Sequence, residues 1–294
     1  MIGLGTMTFG KQADEAESRR IVDAAFASGI THFDTANVYN AGVSEEILGR
    51  CLRGRTGFTI ASKVGSKTSD PKEGLGRDHI LRSCDASLKR LGLERLDLYY
   101  LHQPDYGVHI EETLSAMESL VKAGKVGRVG ASNYAAWQLM QMIETVSVVQ
   151  PMYNLLARDI EREFLPMVRA YPLEVLVYNP LAGGLLTGKH RPGDPAKGTR
   201  FDGNAMYQKR YWNEVMFRAV AEYGHVANAA DRSILSLALQ WVKAQGVGML
   251  LGATRAEQLQ ESMRAIEGTL DAATLKACDE VYARLAGPIP KYNR

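Results

Sequence analysis

Four side chains of different chemistry follow short apolar segments in the first part of the sequence. They are a carboxylate, a phenol, an ammonium and an imidazole: Asp34, Tyr39, Lys63 and His102. Together such groups could donate a proton to a carbonyl oxygen while a hydride reaches its carbon. A free phenol, with a pKa of about 10, is a weak acid near neutrality. A neighbouring ammonium stabilises the phenolate, a carboxylate can anchor that ammonium, and the imidazole could orient the carbonyl.

Each of these residues taken alone has a structural explanation. Asp34 could cap a turn, and Lys63 could be a solvated strand end. Tyr39 could be a packing residue, and His102 a hydrogen-bonded, half-buried imidazole. Their occurrence at successive strand ends favours catalysis, because catalytic residues of α/β barrels come from the carboxyl ends of several strands.

Short β-branched or apolar segments alternate with amphipathic segments along the whole sequence. The predicted strands are 2–6, 31–36, 59–64, 96–102, 126–132, 146–153, 175–181 and 247–253. The predicted helices include 15–28, 44–53, 78–90, 110–123, 134–143, 161–171 and 231–244. This alternation predicts parallel strands covered by helices, and eight such units fit a closed barrel better than an open sheet.

The helix ends and the longest loop have their own indications. Ser44 is a candidate N-cap, and Gly92 and Gly124 are expected to end helices. Residues 189–204 are polar and rich in Gly and Pro, which predicts a long loop on the active face, followed by an extra helix at 208–223. No linker divides the chain, so we expect one α/β domain, a TIM-type (β/α)8 barrel, over residues 1–294.

Composition excludes several classes of function. The formal net charge of +2 and the absence of a dense Lys/Arg segment argue against nucleic acid or an anionic membrane as partner. The three cysteines, Cys51, Cys84 and Cys278, lack metal-ligand spacing, and no H-E-x-x-H pattern occurs, so no metal site is expected. Without a signal-type or membrane-spanning segment, a cytoplasmic protein is expected. A homo-oligomer stays possible.

Three stretches around the reactive residues resemble the catalytic signature of the aldo-keto reductases. They are His32-Phe-Asp-Thr-Ala-Asn-Val-Tyr39, Ala61-Ser-Lys63 and Asp97-Leu-Tyr-Tyr-Leu-His102. The resemblance implies a (β/α)8 barrel that reduces aldehydes or ketones with a nicotinamide cofactor. It implies Tyr39 as general acid, Lys63 with Asp34 as its tuning pair, and His102 as the group that orients the carbonyl.

Further stretches are similar to the aflatoxin-aldehyde and succinic-semialdehyde reductase branch: 100–105, 179–189 and 210–212. Unlike many relatives, the sequence begins in the first predicted strand, without a hairpin to close the barrel bottom. The branch implies a small aldehyde substrate that carries a carboxylate or similar polar group. The residues expected to bind substrate are Tyr39, His102, Arg210, Trp212 and Arg294.

The resemblance also assigns a cofactor site. Ser132, Asn133 and Gln150 would hold the nicotinamide carboxamide, and Tyr178 would stack on its ring. The remaining expected contacts are Gly5, Thr6, Met7, Asp34, Asn179, Pro180, Leu181, Gly183, Leu185, Gly188, Lys189, Gly252, Thr254, Arg255, Gln258 and Ser262.

The phosphate groups of the cofactor have two candidate positions. Glycine-rich residues 181–189 supply backbone amides for a pyrophosphate. A phosphate at the start of the helix after the eighth strand would be favoured by free N–H groups and the helix dipole. Arg255 there could hold the adenosine 2′-phosphate, which predicts NADPH rather than NADH. The sequence departs from its relatives here, with Arg255 in place of Ser and Ser262 in place of Asn.

The sequence has two other interpretations, a Rossmann dehydrogenase and a regulatory barrel. Gly3-Leu-Gly5-Thr-Met-Thr8 is similar to a dinucleotide fingerprint, but the third glycine is absent and polar residues delay the helix, so a Rossmann dehydrogenase is disfavoured. A regulatory barrel similar to ion-channel β subunits, which binds NADPH with little turnover, would keep every residue named above and is the alternative to an enzyme.

Overall fold

Eight parallel strands in a computed structural model close into a barrel in sequence order, from β1 to β8, with β1 paired to β8. The structure describes residues 1–66 and 74–287. The strands are β1 (Ile2–Gly5), β2 (His32–Asp34), β3 (Thr59–Val64), β4 (Leu96–Leu101), β5 (Val126–Ser132), β6 (Val146–Gln150), β7 (Glu174–Val177) and β8 (Gly248–Gly252). The predicted TIM-type (β/α)8 barrel is confirmed, because each predicted strand segment overlaps one of these strands.

Helices alternate with the strands. They are α1 (Glu15–Ala27), α2 (Val43–Leu52), α3 (Arg77–Leu91), α4 (Ile110–Lys122), α5 (Ala136–Met140), α6 (Phe164–Ala170), α7 (Ala205–Tyr211), α8 (Glu214–Ala229), α9 (Ile234–Ala244), α10 (Ala256–Ile266) and α11 (Ala272–Ala286). Single 3₁₀ segments lie at Tyr39–Gly42, Asp159–Glu161 and Ala182–Thr187. No helix in the described ranges is long and apolar enough to cross a membrane.

Two details of the helix prediction are wrong. The predicted helix 208–223 is two helices, α7 and α8, because the Asn213 side chain accepts a hydrogen bond from the Met216 N–H and starts a new helix. Ser44 is not an N-cap, since α2 begins at Val43 after Gly42. The predicted helix ends are confirmed: Gly92 follows α3 with φ of 67°, and Gly124 follows α4 with φ of 75°.

The described residues form two compact units. The first contains the whole barrel and comprises Met1–Met152, Asp159–Tyr178 and Gly248–Gln260. The second comprises Tyr153–Arg158, Asn179–Val247 and the described part of Glu261–Arg294. Within the second unit, Arg158 pairs with Asp279, and its guanidinium lies 4.6 Å from the Trp241 ring centroid.

Side chains of the barrel strands alternate between its interior and its helices. On β2, Phe33 packs against Phe26 of α1, with ring centroids 5.1 Å apart. The next residue, Asp34, accepts a hydrogen bond from Gln150 of β6, which is not a neighbouring strand, so Asp34 faces the interior. An interior layer of apolar side chains is formed by Ala61, Leu98, Tyr100, Val148, Leu176 and Leu250. Alternation therefore turns Phe33 of β2 to the helices and Asp34 to the interior.

Candidate active site

A buried ion pair lies at the carboxyl ends of β2 and β3. Lys63 has no exposed surface and Asp34 is 2% exposed. The Lys63 Nζ donates hydrogen bonds to Asp34 Oδ1 and, over 2.8 Å, to the Thr35 carbonyl oxygen. Burial lowers the pKa of Lys63, and the charge of Asp34 and its hydrogen bond act against that shift. The carboxylate is thus the group that keeps an ammonium in this apolar setting.

Tyr39 and His102 converge on the same end of the barrel. Their ring centroids are 5.7 Å apart with planes at 77°, and Lys63 Nζ lies 5.4 Å from the Tyr39 ring centroid. Tyr39 begins the 3₁₀ segment after β2, and the N–H of His102 donates to the Val64 carbonyl at the end of β3. The four residues chosen from the sequence are therefore neighbours. A phenol, an ammonium and an imidazole beside one another can serve proton transfer to a carbonyl.

The segment that carries Tyr39 has an unusual backbone. Asn40 and Ala41 have positive φ, 50° and 52°, although neither is glycine, and Gly42 follows with φ of 91°. Asn40 Nδ2 donates a 2.6 Å hydrogen bond to the Gly10 carbonyl. Left-handed conformations of this kind persist only where surrounding contacts impose them, and they occur most often at functional sites.

Side chains at the ends of β5, β6 and β7 form a hydrogen-bonded chain beside the reactive group. The Tyr178 hydroxyl donates to Asn133 Oδ1 at 2.6 Å. Asn133 Nδ2 donates to the His102 carbonyl and the Ser132 hydroxyl, at 2.8 and 3.1 Å. Ser132 Oγ donates to the Gln150 carbonyl, and Gln150 Nε2 donates to Asp34 Oδ2 at 2.9 Å. The chain thus connects four of the expected cofactor contacts to Asp34.

This surface fits a nicotinamide. Asn133 Oδ1 accepts one hydrogen bond from Tyr178 and has a second lone pair for a carboxamide N–H. The half-buried Tyr178 ring packs on the apolar layer of the barrel, which holds it as a platform for a planar ring. His102 Nδ1 is buried without a hydrogen-bond partner among the described residues. The Ser132 hydroxyl already donates its proton to the Gln150 carbonyl, so it would meet the carboxamide as an acceptor.

The end of β1 offers backbone rather than side chains. Gly5 and Met7 are half-buried, and Thr6 is fully buried with its hydroxyl near Ser44 Oγ at 2.9 Å. Ser44, expected as a helix cap, also donates to the Thr6 carbonyl at 2.8 Å and lies 3.0 Å from Thr35 Oγ1. Ser44 therefore fixes α2 to β1 and β2.

The start of α10 differs from the expectation of free N–H groups. The Thr254 N–H donates to Gln258 Oε1 at 2.9 Å, and the Ala256 N–H donates to Glu17 Oε1 of α1 at 2.7 Å. The expectation is wrong for these two groups. Gly252 and Arg255 are exposed, so the Arg255 guanidinium remains accessible to an anion. A 2′-phosphate at this position would meet the Arg255 charge and also the Glu17 carboxylate.

The expected cofactor residues between 179 and 188 in the second unit form one tight turn. Asn179, with φ of 62°, accepts a 2.6 Å hydrogen bond from the Gly183 N–H and donates to the Tyr211 hydroxyl at 2.9 Å. The turn continues through the 3₁₀ segment to Gly188 with φ of 73°. Pro180, Leu185 and Ser262 are buried, Leu181 is half-buried and Lys189 is exposed.

The expected substrate residues of the second unit lie in two settings. The Arg210 guanidinium is 5.9 Å from the Tyr207 ring centroid. Trp212 donates from Nε1 to the Gly193 carbonyl at 2.6 Å and packs on Phe201, with centroids 4.6 Å apart. Arg294 lies outside the described residues.

A model of the Aldo/keto reductase family matches residues 1–283. The chain belongs to the aldo/keto reductase family. This aldo/keto reductase is an oxidoreductase enzyme, as the resemblance of its catalytic stretches implied.

Named relatives cover nearly the whole chain. It is 36% identical over 320 residues to the human protein named Aflatoxin B1 aldehyde reductase member 2, an alignment that covers 99% of this chain and 89% of that one. It is 32% identical over 279 residues to a probable voltage-gated potassium channel subunit beta of Arabidopsis thaliana, covering 89% and 85%. The solved glycerol dehydrogenase of Gluconobacter oxydans has a TM-score of 0.83 and 30% identity, covering 100% and 94%.

Two features of this aldo/keto reductase were not predicted from the sequence, a contact of Glu17 and the burial of Glu45. The Glu17 carboxylate accepts a hydrogen bond from the Ala256 N–H at the start of α10, although the two residues are 239 positions apart. Glu45, in the first turn of α2, is fully buried. An acid in the first turn of a helix usually lies at the surface, where its charge interacts favourably with the helix dipole. Only the position of Glu45 shortly after Gly42 and directly after Ser44 could have indicated that it is different.

The first prediction concerns pH and His102. Burial, followed by the Lys63 charge, lowers the pKa of His102 from its ordinary 6.5 to about 3. Below pH 6.5, His102 therefore takes up a proton in the unfolded chain, whereas in the folded protein it stays neutral until about pH 3. Folding stability from this group is complete above pH 6.5 and is lost as the pH falls towards 3, by up to about 1.4 kcal/mol per pH unit.

Urea unfolding of wild type and His102→Gln between pH 7 and pH 4 measures this contribution, using the difference in slope between the two proteins. His190, whose pKa burial also lowers, to about 4, is present in both proteins and cancels. Parallel slopes would contradict the prediction, because they would mean that His102 takes up its proton at the same pH in the folded and unfolded states.

Proposed function

We propose that this aldo/keto reductase reduces aldehydes and ketones to alcohols with NADPH, and that Tyr39 donates the proton. The observation that carries the proposal is the convergence of Tyr39 and His102 above the buried Lys63–Asp34 pair. The relative named for aldehyde reduction supports the substrate class.

The reduced nicotinamide, when bound, supplies the hydride. Asn133 and Gln150 would hold the carboxamide, and the Tyr178 ring would form the stacking surface. The Tyr39 hydroxyl gives its proton to the carbonyl oxygen, and the Lys63 ammonium stabilises the phenolate that remains. Asp34 keeps Lys63 charged, and neutral His102 orients the carbonyl oxygen. Proton donation and charge stabilisation thus come from adjacent groups at one strand-end surface.

The test is loss of reduced-nicotinamide absorbance with a panel of aldehydes and ketones, with NADPH and NADH offered separately. We expect turnover that depends on both substrate and cofactor. The relative named as a channel subunit supports the second candidate, a regulatory barrel that binds NADPH. Tight cofactor binding with no turnover of any carbonyl compound would favour that candidate.

A second prediction concerns cofactor selectivity. A guanidinium holds phosphate oxygens through paired N–H groups and has no comparable partner on NADH. Arg255→Ala is therefore expected to weaken NADPH binding by about 1–3 kcal/mol, the size of a charge-assisted hydrogen bond, and to leave NADH binding nearly unchanged. Fluorescence titration of both cofactors gives the two dissociation constants.

Arg264→Ala is the matched control, since it removes the same charge from the last turn of α10, whereas Arg255 directly precedes the first. It should change neither dissociation constant. Equal weakening of NADPH and NADH in Arg255→Ala would assign Arg255 no part in selectivity.

A third prediction concerns the substrate. We propose that the preferred aldehydes carry a carboxylate and that Arg210 binds it through a guanidinium fork. Arg210→Ala should lower kcat/KM for succinic semialdehyde by about 10–100-fold, the loss of one charge-assisted contact, but not for an uncharged aldehyde of similar length. Arg294→Ala tests the terminal residue in the same way.

Arg200→Ala is the control, because the Arg200 guanidinium also lies over the Tyr207 ring, 5.5 Å from its centroid. It should leave both kcat/KM values unchanged. Equal losses of kcat/KM for charged and uncharged aldehydes in Arg210→Ala would contradict the proposed carboxylate preference and indicate a general carbonyl reductase.

A further inference from the structure

A second buried carboxylate, in addition to Asp34, contacts the strand that carries Lys63. Glu45 of α2 has no exposed surface. It accepts a hydrogen bond from Ser62 Oγ, the neighbour of Lys63 on β3. Its Oε2 also accepts a 2.7 Å hydrogen bond from Nε of Arg90 on α3, and a terminal guanidinium nitrogen of Arg90 lies 2.6 Å from the same oxygen. The Arg90 side chain is 26% exposed.

Stability alone does not account for this ion pair. Removing a carboxylate from water is costly, and replacing a buried ion pair by apolar residues is often neutral or stabilising. What the pair provides is geometry, because Ser62 holds Oε1 of the carboxylate while two nitrogens of the Arg90 guanidinium converge on Oε2. Glu45 therefore sets the position of the Arg90 side chain.

Arg90 lies against the segment that carries Tyr39. A Cβ on Gly42 would come within 2.9 Å of Arg90 Cδ and Nε, so the Arg90 side chain covers Gly42 closely. Gly42 has φ of 91° and ends the Tyr39–Gly42 turn. The helices α2 and α3 are also in close contact, since a Cβ on Gly49 of α2 would lie 2.4 Å from the Leu91 carbonyl oxygen of α3. Leu91, the residue next to Arg90, thus packs directly on α2, the helix that follows the turn.

The opposite side of the turn is also in contact. Asn40 donates to the Gly10 carbonyl, and a Cβ on Gly10 would lie 2.6 Å from Asn40 Nδ2 and from Val43 Cγ1. The strained turn is thus held from both sides, by Gly10 and by Arg90. Only the Arg90 side depends on a buried charge.

We propose that the Glu45–Arg90 ion pair positions the Tyr39 hydroxyl by pressing the Arg90 side chain on Gly42. Glu45 and Arg90 are positioning residues that do not touch substrate or cofactor. The inference rests on the proposed role of Tyr39 as proton donor.

The test is a double-mutant cycle with Glu45→Gln and Tyr39→Phe. Glu45→Gln keeps the shape of the side chain and removes its charge. It should lower kcat by about 10–100-fold in the chain with Tyr39, as a misplacement of about 1 Å does. It should lower kcat by less than about 2-fold in the Tyr39→Phe chain, since a positioning residue has no effect once its target is absent. The dissociation constant of NADPH should not change.

Equal fold losses in both backgrounds, or no loss in either, would overturn the inference. A Tyr39→Phe chain with normal kcat would instead overturn the proposed proton donor. Arg90→Lys repeats the cycle without an unpaired buried carboxylate, should Glu45→Gln fail to fold. Glu174→Gln is the control, because it breaks another ion pair of a barrel strand, with Arg128, and should not alter kcat.

Discussion

Tyr39→Phe is expected to lower kcat by about 10²–10⁴-fold, the contribution of a general acid, with little change in the affinity for NADPH. The substitution removes only the hydroxyl and keeps the ring that packs beside His102 and Lys63. Steady-state kinetics with a reactive aldehyde and cofactor titration measure the two effects.

Tyr99→Phe is the matched control, because Tyr99 is a fully buried tyrosine of β4 whose hydroxyl has no hydrogen-bond partner among the described residues. It should keep wild-type kcat. A folded Tyr39→Phe protein with near-normal kcat would remove Tyr39 as proton donor.

The second large effect is expected from the Lys63–Asp34 pair. Lys63→Met leaves the Asp34 carboxylate buried with Gln150 as its remaining side-chain donor. Loss of one partner of a buried pair costs about 3–5 kcal/mol of unfolding free energy. Asp34→Asn with Lys63→Met removes both charges and should recover most of that stability. Turnover should stay low in both proteins, because neither retains the ammonium beside Tyr39.

Urea unfolding and kcat, measured on wild type, the two single variants and the double variant, separate stability from catalysis. A Lys63→Met protein as stable as wild type would mean that Asp34 finds another partner. Recovery of kcat in the double variant would show that the ammonium is dispensable.

The barrel could be predicted from the sequence because its cause is local. Each strand is a short apolar segment and each helix an amphipathic one, so alternation and number determine the architecture. Asp34, Lys63 and His102 followed from the same pattern, since strand ends of a barrel lie together.

Contacts between distant segments could not be predicted in this way. The hydrogen bond from Ala256 to Glu17 depends on how α1 meets α10, which no local pattern contains. The burial of Glu45 depends on the close approach of α2 and α3. The prediction of Ser44 as a cap was wrong for the same reason, because its hydroxyl donates to the carbonyl of Thr6, the residue after β1, rather than to its own helix.

The strand register also sets where the chain tolerates extra residues. Lys63 pairs with Tyr100 and Asp34 with Ala61, so their side chains share the interior only at this register. One residue inserted within β3 would turn Lys63 towards the surrounding helices, because successive side chains of a strand face opposite sides. An insertion in 189–204, where no strand is present, leaves every strand pairing intact. Length variation that preserves the Lys63–Asp34 pair is therefore confined to segments between the strands.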